Sequence, residues 1–252
     1  MAEKTSRSLL TLPVELVYRI LDKLDMFTIL FSMQNVCTRL DVILRMYSRY
    51  QKIETLKLLG NHIDLERVKH LVEFLQNNNT ISQLKLGNSN IGDIGTQYLA
   101  NALQHNKTLT NLDIRYNKIG LHGAKYLANL LQHNTTLTRL YLGHNEIGDQ
   151  GTQYLAAGLL KNATLTNLNL WGNGIENLGT KSLSIALKHN TTLVTLDLRY
   201  NQISDRGARY LADALQYNTT LAMLNLENNS IALHARQCFA TEMKKVPLRV
   251  WL

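Results

Sequence analysis

Few residues in this chain stand at spacings that could do chemistry, and most that do recur with a fixed period. GIENLGTKS, Gly174 to Ser182, holds two glycines followed by Lys181 and Ser182, the parts of a phosphate-cradling loop. Thr180 separates the second glycine from Lys181, however, and Gly179 belongs to a column of repeating glycines, so nucleotide binding is not expected. His105, His133 and His189 share another column, and the other histidines have no Cys, Asp or Glu at metal-ligand spacing. Asn78, Asn106, Asn134, Asn162, Asn190 and Asn218 each begin an Asn-x-Thr sequon, but their regular recurrence points to turn chemistry rather than glycosylation. Cys37 and Cys238 are far apart and read as small core or edge residues. No nucleophile with a base, no metal set and no cofactor site can be nominated, so a protein that is not an enzyme is expected.

The elements that carry these residues follow from composition. The 252 residues include 48 Leu and 25 Asn, with 45% hydrophobic and 18% charged residues. Such a chain folds, and its paired excess of Leu and Asn signals a repeat. No apolar run approaches the roughly 18 residues that span a membrane, and Pro13 and Glu15 interrupt the N-terminal one too early for a signal peptide. A chain without membrane contact, cytoplasmic or nuclear, is expected. The formal net charge of +8 is not clustered in any block, which favours acidic partners without indicating nucleic acid.

The pattern Leu-x-x-Leu-x-Leu-x-x-Asn-x-Ile begins at Ile53, Ile81, Leu109, Leu137, Leu165, Leu193 and Leu221, every 28 residues, and seven units cover 53–248. Leu-x-Leu has the period of a strand with one buried face; the segment after it, such as GTQYLANALQHN, has helical spacing. Stacked units give a parallel sheet inside, helices outside and a curved α/β solenoid. The Asn column (Asn61, Asn117, Asn145, Asn173, Asn201, Asn229, with Ser89 the departure) is placed to bond neighbouring backbone as each strand ends. Gly95, Gly123, Gly151, Gly179 and Gly207 mark a close approach or a positive φ where each helix opens. Tyr98, Tyr126, Tyr154 and Tyr210 repeat along a helix face, where packing between units is expected.

These units resemble leucine-rich repeats of the 28-residue class found in ribonuclease inhibitor, in NOD-like receptor sensor arms and in the GTPase activator of Ran. The resemblance implies a scaffold that binds other proteins on its concave face. A GTPase activator would need a catalytic Arg or Asn in a repeat-end loop, whereas Arg115 and Arg199 sit in the strand frame.

Residues 9–50 break the period and read as three helices. Thr11 is placed to cap the first, with Pro13 in its first turn; the second is expected over about 28–40 and the third over about 41–50. The stretch LPVELVYRILDKLDMFTILFSMQNVCTRL resembles the F-box, a helical module that docks on the Skp-family adaptor of cullin-RING ubiquitin ligases. Leu12-Pro13 and Glu15-Leu16 match its opening, Ile20-Leu21 and Leu24-Asp25 the next segment, Leu30 the following helix, and Val36-Cys37 with Arg39 the close; Leu40 stands near where many F-boxes carry Trp. The resemblance implies an all-helical head, 9–50, that binds the adaptor through Leu12, Pro13, Glu15, Leu16, Ile20, Leu21 and Leu30, ahead of a repeat domain over 53–252. The alternative is that the head only caps the solenoid. Exposed aliphatic residues favour docking, and buried ones favour capping.

Residues between the repeat leucines face away from the core. Among them Arg115, Arg139, Tyr141, Trp171 and Arg199, with Tyr116 and Tyr200 at strand exits, have the composition of a protein-binding hot spot for an unidentified client. The competing reading is that Asp113–Arg115 and Asp197–Arg199 only pair within the sheet surface.

Overall fold

The computed structural model describes residues 12–25, 28–33, 43, 53–243 and 249–252. The expected cap Thr11, the Leu30 side chain, Val36, Cys37, Arg39, Leu40 and most of the second and third expected helices lie outside the described residues.

Helix α1 (Val14–Leu21) is followed by a short helical turn, Ile29–Met33, and then by strictly alternating strands and helices. The strands are β1 (Thr55–Lys57), β2 (Gln83–Lys85), β3 (Asn111–Asp113), β4 (Arg139–Tyr141), β5 (Asn167–Asn169), β6 (Thr195–Asp197), β7 (Met223–Asn225) and β8 (Arg249–Trp251). The helices are α2 (Leu65–Asn77), α3 (Gly92–Leu103), α4 (Leu121–His133), α5 (Gly148–Leu159), α6 (Asn177–His189), α7 (Asp205–Leu215) and α8 (Leu233–Met243). The eight strands among the described residues are all parallel and ordered as in the chain. A parallel pair needs a crossover, and each helix supplies one. The fixed period sets the register: Leu84 pairs with Leu56 and Leu112, and the same column continues to Leu224, so one buried leucine from each of β1–β7 stacks on the next. The helices answer with residues at i, i+3, i+4 and i+7, as in α4, where Ala124, Leu127, Ala128 and Leu131 are buried.

Polar columns join the repeats. Asn145 Oδ1 accepts from the backbone N–H of Asn117 (2.9 Å) and Ile119 (3.1 Å), while its amide donates to the Ile114 carbonyl one repeat back. Where Ser89 replaces Asn, its hydroxyl donates to the Leu58 carbonyl and keeps the link to the preceding repeat. The sequon asparagines form a second column: Asn162 Oδ1 accepts from Thr164 and Leu165 N–H, and its amide donates to Leu131 O at 2.7 Å. Asn134, Asn162, Asn190 and Asn218 are buried, so their amides are committed to the backbone. Asp93 Oδ1 accepts from Gly120 and Gly123 N–H, capping α4 from the preceding repeat, and Asp149 does the same for α6.

The helix-opening glycines are explained by close approach. None has a positive φ, and a methyl on Gly123 would overlap Ile119 and Asp93. The tyrosine column is a packing device with a cation–π component: Lys125 lies 5.8 Å from the Tyr154 ring and Lys181 5.9 Å from Tyr210.

One expectation needs correction. Pro13 is itself the N-cap of α1, its carbonyl accepting from Leu16 and Val17 N–H, with no side-chain cap. Of the two places read for the cysteines, core or edge, Cys238 is not in the core: it is exposed on α8. Beyond the last repeat a further strand closes the sheet: Val250 pairs with Leu224 while Phe239 fills the last layer, leaving Trp251 38% exposed at the sheet's end.

Candidate functional site

Two surfaces carry the residues nominated from sequence. On the head, the periodicity of VELVYRIL divides α1 into faces. Val17 and Leu21 are fully buried and, with Ile29 and Ile43, continue the solenoid core; Leu12 is partly buried against it. Pro13, Glu15, Leu16 and Ile20 are exposed, the last two aliphatic at 41% and 37%. The helix thus both caps the first repeat and presents apolar side chains outward. Leu21 is on the capping side.

The second surface is the sheet face turned away from the helices. Every repeat needs a left-handed residue where its strand exits: Gly60, Asn88, Tyr116, His144, Gly172, Tyr200 and Asn228 all have φ between 53° and 71°. Gly and Asn accept this conformation readily, whereas a larger side chain loses roughly 1–2 kcal/mol. Three repeats nonetheless place an aromatic ring there. Tyr116 lies 4.5 Å from His144 and 5.5 Å from Trp171, His144 is 5.4 Å from Trp171, and Trp171 is 6.0 Å from Tyr200 (centroid distances). The two contacts of Trp171 with Tyr116 and Tyr200 are edge-on, and such contacts return about 0.5–1.5 kcal/mol each, comparable to the backbone cost. Burial does not complete the compensation, because Tyr116 and Tyr200 remain 44% and 57% exposed. Gly143 makes the arrangement possible: a methyl there would overlap the indole of Trp171. A pocket of about 320 Å³ opens beside the ridge, lined by Asn88, Tyr116, Lys118, His144 and Glu146.

Trp171, Tyr116 and Tyr200 therefore come together as one ridge. Arg115 and Arg199 are held elsewhere: Arg115 Nε and Nη2 donate to Asp113 at 2.8 and 2.6 Å, and Arg199 pairs with Asp197 at 3.0 and 2.8 Å. The hydrogen bonds to Asp113 raise the Arg115 pKa above its ordinary value against the opposing effect of desolvation, and Asp197 does the same for Arg199. Tyr141 packs under the Arg115 guanidinium at 5.7 Å, away from the indole. Arg139, on β4, is exposed and makes no ion pair among the described residues. Sequence reasoning missed His144 and Gly143; the place of His144 in the column of Tyr116 and Tyr200 was the available signal.

Among the described residues no group of three or more His, Cys, Asp and Glu could hold a metal ion, and no helix is long and apolar enough to cross a membrane.

Parallel strands on one side, helices on the other and a constant 28-residue step define a leucine-rich-repeat solenoid. The family model described as "Leucine Rich repeat" matches residues 105–128, 133–156, 161–184 and 189–212. No curated protein matches. Among solved structures, the chain is similar to "Leiomodin-1 Actin-Binding Site 2 (ABS2)" at 23% identity and a TM-score of 0.51, over 69% of this chain and 94% of that one; the likeness extends to the fold.

Proposed function

We propose that this protein is a non-catalytic interaction scaffold, and specifically the substrate-recognition subunit of a Skp–cullin–F-box ubiquitin ligase. The head docks the Skp-family adaptor, and the concave face holds a protein client. Its contribution to ubiquitin transfer is proximity: a client lysine is kept near the conjugating enzyme that the rest of the complex supplies. The observation that carries the adaptor reading is the outward pair Leu16 and Ile20, on a helix whose LPVEL opening resembles the F-box and whose opposite face is fixed by Val17 and Leu21. Exposed aliphatic residues on a held helix suit docking into a partner's groove. Continuity of the head with the repeat core suits the role, since a rigid joint keeps client and ligase at a set distance.

Burial of Val17, Leu21, Ile29 and Ile43 in that shared core favours a second reading, a stand-alone scaffold whose head is only a cap. Size-exclusion chromatography of the full chain mixed with a Skp-family adaptor separates the two. Co-elution in equal proportion supports the ligase role; separate elution of the folded chain rejects it and leaves the scaffold.

A further inference from the structure

The concave face has a chemistry that selects a particular kind of client. On β1–β7 and at the position two residues beyond each strand it carries five cations, Lys57, Lys85, Arg115, Arg139 and Arg199, against three carboxylates, Asp113, Asp197 and Glu227. Both aspartates are taken by Arg115 and Arg199, and Glu227 accepts from the Asn225 amide at 3.0 Å. Lys57, Lys85 and Arg139 make no ion pair among the described residues. The free charge is therefore positive and lies toward the N-terminal repeats, while the aromatic ridge lies over β3–β6. Each strand is three residues long, so the surface is a band about 10 Å high crossed by strands about 4.8 Å apart, dimensions that suit a single extended chain lying across them.

We infer that the concave face takes an extended acidic segment of its client, anchored by one bulky apolar side chain on the Tyr116–His144–Trp171–Tyr200 ridge, with carboxylates over Lys85 and Lys57. This rests on the concave-face reading above and adds the partner's chemistry and register. From β5, which leads into Trp171, to Lys85 on β2 is three strand steps, and to Lys57 on β1 four, or about 14 and 19 Å. At about 3.3 Å per extended residue, the acidic positions fall about four to six residues from the anchor. The side pocket at Lys118 and Glu146 gives room for the tip of a large anchor.

The test is selection of displayed random peptides of about twelve residues on the full chain and, in parallel, on Trp171→Ala and Lys85→Glu variants whose unfolding midpoints match the parent. The expected winners carry Asp or Glu four to six positions from a Trp, Phe, Tyr, Leu or Met. Their binding should fall about tenfold or more in Trp171→Ala and severalfold in Lys85→Glu. Winners that need Trp171 but are neutral or basic overturn the acidic register and leave the concave-face reading standing. Winners indifferent to both substitutions overturn that reading as well. Failure to enrich any peptide over a blank surface overturns the claim that a short extended segment is recognised.

Discussion

The indole of Trp171 lies over Gly143, one repeat back in the same column, and a methyl group on Gly143 would overlap its Nε1. A glycine in one repeat thus sets the pose of the tryptophan in the next. Gly143→Ala should lift the ring from Tyr116 and His144, with a loss of stability of about 1–3 kcal/mol from overpacking. In a Trp251→Phe background Trp171 is the only tryptophan, so its emission should shift to longer wavelength. Unchanged emission would place the ring elsewhere.

Tyr200 combines a strained backbone (φ 53°) with a 57% exposed side chain. Tyr200→Asn exchanges ring contacts for a residue that accepts the left-handed conformation, two effects of about 1 kcal/mol and opposite sign. Urea unfolding should therefore move by less than about 1 kcal/mol, while affinity for peptides that depend on Trp171 falls severalfold. A large loss of stability would mean that the ring serves the fold.

Asn145 and Asn61 occupy the same column with different duties. Asn145 is buried and accepts from two backbone N–H groups of the preceding repeat, whereas among the described residues the Asn61 amide donates to Leu59 O alone, at 3.3 Å. Asn145→Ala leaves two buried donors unmatched and should destabilise by about 3 kcal/mol. Asn61→Ala should cost under about 1 kcal/mol. Equal losses in chemical denaturation would contradict this division of roles.

Asp113 neutralises Arg115 through two hydrogen bonds. Asp113→Asn keeps the side chain's shape and removes its charge, so Arg115 joins the free cations of the N-terminal repeats. Binding of an acidic client peptide should tighten about threefold to tenfold at low salt and less at high salt, measured by fluorescence anisotropy. Weakening would show that the aspartate itself contacts the client.

The fold was legible because one period governs both burial and backbone bonding. The leucine column from Leu56 to Leu224 fixes the register, and the asparagine column ties adjacent turns, so each repeat reports the structure of the next. Legibility failed where the period fails. Val250 stands 26 rather than 28 residues after Leu224, so the strand it forms has no signature in the spacing. At the ridge, the columns identified Tyr116, Trp171 and Tyr200 but not their neighbours. Strand alternation groups Trp171 with Arg115, Arg139, Tyr141 and Arg199, yet its ring meets His144, because the space over Gly143 and the left-handed turn at His144 set directions that alternation does not describe. On the head, Leu21 and Ile20 match the F-box pattern alike, and only packing separates the buried residue from the exposed one.

The most direct test of the account is calorimetric titration of the full chain with a Skp-family adaptor, repeated with a Leu16→Asp, Ile20→Asp double variant. Both residues are exposed, so the variant should keep the parent's unfolding midpoint. The expected result is one adaptor bound per chain and no detectable heat with the variant. A folded parent that binds no adaptor, or a variant that binds as well as the parent, would contradict the ligase role and reduce the head to a cap on the repeats.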